Sequence, residues 1–298
     1  MKGQFMKSTI IRLAVASALG LGAAGLAQAA EEEHAAEGGE AHAVHYPLKK
    51  PEYVDWTFAG VFGKYDQGQL QRGFKVYREV CSACHGLSRV AFRTLGSEHG
   101  PGFSEAQVKS LAAEYEVTNA DPDEAGDMFQ RPAEPKDFIP SPYPNDLAAA
   151  ASNGGAVPPD LSLITKSRAV ERGLPWFIFD MFLPYQEQGA DYLHALLTGY
   201  EEPPEGVEVP EGTYYNPYFI AGMSLKMPPP ISDDQVEYTD GTPQTVDQYS
   251  RDVAAFLMWA AEPHLVERKS MGFKVMIFLA IFAGLLYITK RRIWEAAH

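Results

Sequence analysis

Cys81-Ser82-Ala83-Cys84-His85 holds both cysteines of the chain and puts a histidine directly behind the second. Thiols at this spacing add across two vinyl groups on one edge of a porphyrin, and the histidine then falls beneath the iron. The pattern predicts one covalent haem c with His85 as an axial ligand. Other uses of a CxxC motif fit less well. A zinc site needs further Cys or His at matched spacing, and the chain has no second CxxC and no HxxxH. A disulfide between residues this close closes too small a loop to stabilise much. A redox dithiol belongs in a thioredoxin-like βαβ setting, whereas the residues before Cys81 carry helical spacing.

The iron has a second axial position, which takes Met, His or nothing. There are nine methionines. Met1 and Met6 fall in the N-terminal leader described below, and Met271 and Met276 in an apolar C-terminal run. Met258 reads as packing on a late helix, and Met128 and Met181 lie in loop or insertion-like sequence. Met223 and Met227 remain, in Gly222-Met223-Ser224-Leu225-Lys226-Met227-Pro228-Pro229-Pro230. A ligand must be held stiffly while the iron changes charge, and the prolines favour Met227. Met223 stays open, as do His194, read as a helix-surface residue, and His99, in a Gly-flanked loop.

These residues need elements to position them. Leu70, Phe74 and Tyr77 recur at helical spacing in Gln69–Val80, a helix that delivers the motif at its C-terminal end. Ser104 and Gln107 form a capping box opening a helix to about Tyr115. Residues 119–145, crowded with Pro, Asp and Glu, read as loop. Asn145–Ser152 is a short Ala-rich helix stopped by Asn153-Gly154-Gly155. Val157-Pro158-Pro159-Asp160 is a rigid extended lead into a helix over Leu161–Arg168. Asp191–Tyr200 is a further helix and 201–219 a loop. Thr245 caps a helix reaching Ala261, with Val253, Phe256, Leu257 and Ala260 as its apolar stripe. Little strand is evident. The fold class is mostly α: a c-type cytochrome domain with long loops, followed by one C-terminal transmembrane helix.

Lys2, Lys7 and Arg12, an apolar run from Leu13 to Leu26 and Ala27-Gln28-Ala29 read as a cleaved signal peptide over 1–29. The haem domain then covers 30–268, with 30–50 flexible. Its His34, His42 and His45 read as incidental rather than metal-binding. Met271–Thr289 approaches the about 20 apolar residues that a spanning helix needs, so 269–290 is assigned to the membrane. Lys290, Arg291 and Arg292 then mark 291–298 as a cytoplasmic tail, with the exported domain on the periplasmic side of the bacterial inner membrane. The chain has 298 residues, 46% of them hydrophobic, and a net charge of −14. That charge argues against nucleic acid as a partner and suits a basic protein reached by electrostatic steering.

An ordered set of segments adds a resemblance. It comprises Arg72-Gly73-Phe74-Lys75-Val76-Tyr77, Met128-Phe129-Gln130-Arg131-Pro132, Pro142-Tyr143-Pro144-Asn145 and Pro158-Pro159-Asp160-Leu161-Ser162. Leu197-Thr198-Gly199-Tyr200, Tyr214-Tyr215-Asn216-Pro217-Tyr218-Phe219, Asp240-Gly241-Thr242-Pro243 and Trp259-Ala260-Ala261-Glu262-Pro263 follow. From about Arg72 to its end, the chain resembles the bacterial type of the cytochrome c1 family, the haem subunit of the quinol–cytochrome c oxidoreductase (cytochrome bc1 complex). The resemblance implies an electron carrier that is no enzyme by itself. It implies thioethers at Cys81 and Cys84, His85 and Met227 as the iron ligands, and Arg168 near a haem propionate. Tyr192 and Asn153 match as haem-pocket polar groups. The implied route takes one electron from the Rieske iron–sulfur protein to a soluble c-type cytochrome, beside cytochrome b, in a dimeric complex within the lipid bilayer. Glu116, Asp121, Asp123, Glu124 and Asp127 are candidates for attracting the acceptor. The connection over 169–190 is longer than in mitochondrial members. A membrane-anchored haem enzyme with an open iron position and a thiol–disulfide exchanger are the rival readings.

Overall fold

The computed structural model describes residues 46–169 and 187–297. The expected leader, most of the flexible stretch after it and most of the 169–190 insertion lie outside the described residues. Helix α1 spans Gln67–Glu79, and the Asp66 carboxylate caps it by accepting from the Gln69 N–H. It buries Leu70, Phe74 and Tyr77, as their spacing predicts, together with Gly73 and Val76. It ends one residue before the 3₁₀ turn Cys81–Ala83. Helix α2, Glu105–Ala113, opens with the expected capping box, in which Ser104 and Gln107 each satisfy the other's backbone N–H.

The stretch expected to be loop over 119–145 departs from that reading. Its Gln130–Pro132, strand β2, pairs antiparallel with β1, Glu116–Thr118. A ladder this short carries too little alternation to be read from sequence. Tertiary contacts hold it instead. Arg131 donates to both oxygens of Asp137, at 2.6 and 2.9 Å, and to Asn119 Oδ1. The bidentate guanidinium holds the Asp137 carboxyl down to about 2.

Helix α3, Asp146–Ser152, is capped by Asn145 and ends where Gly154 and Gly155 take φ of 60° and 90°. That region is closed to most side chains. The helix expected over 161–168 is one turn only, α4, Ile164–Ser167. Asp160 accepts from the Ser162 N–H (2.8 Å), a local bond that competes with helix at its start. Helix α5 covers Glu187–Thr198, starting earlier than the sequence indicates. Tyr214–Tyr215 (β3) and Ser224–Leu225 (β4) form a second minimal antiparallel pair. Helix α6, Val246–Ala261, is capped by Thr245, and helix α7 covers Leu265–Ala297.

Helix α6 is the axis of the domain, with α1, α4 and α5 packed on it. Burial therefore extends beyond the expected stripe of Val253, Phe256 and Leu257 to Tyr249, Ala254, Ala255, Met258 and Trp259. Ala260, at its end, is only partly buried. The crossing of α1 over α6 is close at Gly73. A Cβ there would lie 2.0 Å from the Asp252 carbonyl oxygen and 2.7 Å from Phe256 Cβ. Beside it, Arg72 Nε donates to the fully buried Asp252 carboxylate (2.8 Å). Tyr238 O–H (3.0 Å) and Gln248 Nε2 (2.9 Å) complete its hydrogen bonds. A buried carboxylate is tolerated because it is paired and fully bonded.

Helix α7 has 33 residues, about 50 Å at the α-helical rise. Leu265 and Val266 are buried in the domain, and none of its apolar window is covered by protein. It is long and apolar enough to cross a membrane, and it runs past the expected 269–290 at both ends. The Gly73→Ala variant is expected to lose about 1–3 kcal/mol of stability, the usual cost of overpacking. Chemical denaturation measures this, and an unshifted midpoint would contradict the close crossing.

Candidate functional site

The motif is held from two sides, by α1 and by residues 159–162. Tyr77, on α1, donates its O–H to the His85 carbonyl at 3.0 Å. The segment after it is sewn to 160–162: Leu161 N–H donates to the Gly86 carbonyl and Arg89 N–H to Ser162 Oγ. Asp160 bridges the two segments, with Oδ2 accepting from Ser88 N–H and Oδ1 from Ser162 N–H, both at 2.8 Å. Burial opposes the charge of Asp160, but these bonds outweigh it and hold its pKa below the usual carboxylate range. Gly86 lies close against this segment: a Cβ there would sit 3.2 Å from both Asp160 Oδ2 and Ser141 Cα, closer than ordinary van der Waals contact.

The imidazole of His85 is fixed by the same neighbour. Its Nδ1 lies 2.7 Å from the Pro159 carbonyl oxygen. A carbonyl only accepts, so Nδ1 carries the proton and Nε2 keeps its lone pair. Burial lowers the pKa of the ring, opposed by the Pro159 hydrogen bond and by the Asp160 charge. A neutral ring, oriented through its other nitrogen, is the usual state of a metal-ligating histidine. Both cysteines are free and partly buried. Burial, with a smaller contribution from Cys84, pushes the Cys81 thiol up to about 12. A thiol–disulfide exchanger needs the opposite shift.

The remaining expected residues form two arcs. In the first, Asn153 caps the end of α3 and donates to Tyr143 Oη (3.0 Å), whose O–H lies 3.9 Å from Cys84 Sγ. The next residue, Gly154, accepts through its carbonyl from Lys226 Nζ, so the segment carrying Met227 is tied to the same turn. A cavity of about 290 Å³ lies along this arc, lined by Cys84, Tyr143, Asn145, Val157, Pro158 and Asp160 among others. In the second arc, Tyr200 donates its O–H to the Met227 carbonyl at 3.1 Å. Burial, then the neighbouring Tyr192, raises the Tyr200 pKa. Tyr192 is itself buried and accepts from Ile220 N–H at 3.4 Å. Arg168, half-buried at the end of α4, is close enough for its charge to act on Tyr192. Met227 is partly buried against the core.

The other ligand candidates have other surroundings. His194 is not the surface residue that its sequence position indicates. It sits between α5 and α6, with Nδ1 2.7 Å from Ser250 Oγ and Nε2 3.4 Å from Asp247. Met258 is fully buried packing, as expected. Tyr143, Tyr200 and Asp160 are parts of the site that the sequence reading left unassigned. The Pro-Tyr-Pro and Pro-Pro-Asp contexts of Tyr143 and Asp160 were the available signal. Tyr200 stands in Leu197-Thr198-Gly199-Tyr200, but nothing in that segment points to Met227, because their bond joins residues 27 apart. Asp160→Ala removes the acceptor for two backbone N–H groups and is expected to cost about 1–3 kcal/mol. The haem-loaded variant should unfold at lower denaturant, and an unchanged midpoint would show that the bridge is dispensable.

Comparison with known proteins adds to this geometry. The model of the Cytochrome C1 family matches residues 56–297. A Bradyrhizobium diazoefficiens protein named Cytochrome b/c1 is 54% identical over 99% of this chain, which spans 41% of that protein's length. Cytochrome c1 of Blastochloris viridis is 51% identical over 82% of the chain and 86% of its own length. Cytochrome c1 of Rhodospirillum rubrum is 48% identical over 81% of the chain and 86% of its own. With Cys81, Cys84 and the oriented His85 inside the matched region, the chain belongs to the cytochrome c1 family.

Proposed function

We propose that this chain is the electron-relaying haem subunit of a quinol–cytochrome c oxidoreductase, taking one electron from a Rieske iron–sulfur protein and giving it to a soluble c-type cytochrome. The observation that carries the reading is the Nδ1 hydrogen bond of His85 to Pro159, which leaves Nε2 free for a metal. When bound, a haem c supplies the one-electron iron couple. Cys81 and Cys84 would hold it by thioethers, and His85 and Met227 would ligate its iron. Two bonds restrain the Met227 segment: the Tyr200 O–H to its carbonyl and Lys226 to Gly154. Arg168 and Tyr192, close to one another, would supply a cation and a hydroxyl for the propionates, and Asn153 and Tyr143 would orient polar groups beside Cys84. Cytochrome b, α7 in the bilayer, a dimeric complex and a periplasmic haem domain complete the proposal. Alone, such a chain makes and breaks no bonds.

Axial-ligand identity moves haem potentials over a range of about 0.8 V, so Met227→Leu is expected to lower the midpoint by on the order of 0.1 V or more. Redox titration measures this, and carbon monoxide should then bind the reduced protein. A normal potential would assign the position to Met223 or a histidine.

The acidic candidates Glu116, Asp121, Asp123, Glu124 and Asp127 are all exposed on the β1–β2 hairpin. Asp123 spends one oxygen on the N–H groups of Ala125 and Asp127, which shapes the loop around it. If this hairpin attracts a basic acceptor, the bimolecular rate of acceptor reduction should fall steeply between 0.01 and 0.1 M salt, as the Debye length contracts from about 30 to about 10 Å. Stopped-flow kinetics measure the slope. A rate indifferent to salt would remove the hairpin from the docking surface.

A further inference from the structure

A short loop ahead of α1 ends in an exposed apolar tip, with Val61 48% and Phe62 72% exposed. This tip is continuous, through Phe273, with the exposed apolar surface of α7, and contiguous exposed apolar surface marks an interaction site. The loop is rigidly mounted. Phe58, three residues before the tip, is fully buried and stacks on Trp56 with centroids 5.3 Å apart. Gly60 turns the chain with φ of 73°. Lys269, on α7, donates to the carbonyl oxygens of Phe58 (2.5 Å) and Gly60 (2.7 Å), so the base of the loop is bonded to the root of that helix.

The tip also touches α7 further along. The Phe62 ring meets the Phe273 ring edge-on, with centroids 5.3 Å apart and planes at 73°. Phe273 lies at the start of the apolar run Met271–Thr289 and is itself exposed. A bilayer deep enough to cover Phe273 therefore reaches Phe62. Each phenylalanine is closely followed by an exposed lysine, Lys64 and Lys274, whose ammonium groups can lie among lipid phosphates. Apolar tips with cations beside them are the composition of an interfacial contact.

We propose that the Val61-Phe62 loop enters the membrane on the domain's side and gives the domain a second lipid contact beside α7. The inference rests on the reading of α7 as the membrane span. Two anchor points, bonded to each other through Lys269, fix the rotation of the domain about the helix as well as its depth.

The test uses the whole complex with its haem-loaded chain, reconstituted in phosphatidylcholine vesicles. Phe62→Cys carries a nitroxide, and its collision rates with oxygen and with a water-soluble nickel chelate are read by power-saturation EPR. Unsubstituted complex treated with the same label supplies the background. Phe62 is exposed, so its replacement leaves no cavity. Leu147→Cys, on the exposed surface of α3, is the aqueous reference, and Phe278→Cys tests α7 itself. The expected result at position 62 is an oxygen-to-nickel ratio several-fold above that at position 147. A ratio equal to that at 147 means that the tip is in water and overturns the inference. Low access to both reagents means that it packs on another subunit and overturns it equally. Nickel access at 278 would overturn the membrane span together with this inference, so the two failures read differently.

Discussion

A ligand to a redox metal has to keep its place while the charge beside it changes. In the proposed site that requirement falls first on the Pro159 carbonyl, which accepts a hydrogen bond from the Nδ1–H of His85. Proline has a fixed φ, which narrows the conformations open to the backbone that presents this acceptor. Asp160, the next residue, then locks the same segment to the backbone beyond the motif through Ser88, and Ser162 does so through Arg89. Remove this seam and the motif would still bear its thiols, but the direction of Nε2 would be left to solvent and thermal motion.

The seam in turn depends on α1, which brings the motif to it, and α1 depends on its fit against α6. Two features make that fit specific rather than merely greasy. Gly73 lets the backbones approach so closely that no other residue type could occupy the position without a shift. Arg72, its neighbour, inserts a charge whose partner Asp252 is wholly enclosed. Apolar contact supplies most of the energy, at roughly 1.5–3 kcal/mol for each large buried side chain. The buried ion pair and the glycine determine which register of the two helices collects it.

What could be read from the residues divides along the range of the interactions. Caps, helix faces and the motif are local, and Ser104-Gln107, Leu70-Phe74-Tyr77 and Thr245 stand where their spacing puts them. The one-turn α4 departs because Asp160 and Ser162 have obligations outside their own segment that a helix would break. The β1–β2 ladder is too short to leave a pattern, and depends on Arg131 reaching Asp137. His194 carries the sequence context of a surface residue, yet Ser250 of α6 meets it from more than fifty positions away. In the proposed site, Cys81, Cys84 and His85 could be singled out from the sequence because they are contiguous. The bond from Tyr200 to the Met227 carbonyl could not, because Tyr200 acts from across a long loop.

Helix α7 leaves the domain without a hinge. Pro263 ends the preceding segment, but Leu265 and Val266 are already inside the core when the long helix begins. To swing on its stalk, the domain would have to pull both side chains into water. The domain and the root of α7 are thus one body, and the helix cannot turn without turning the domain with it.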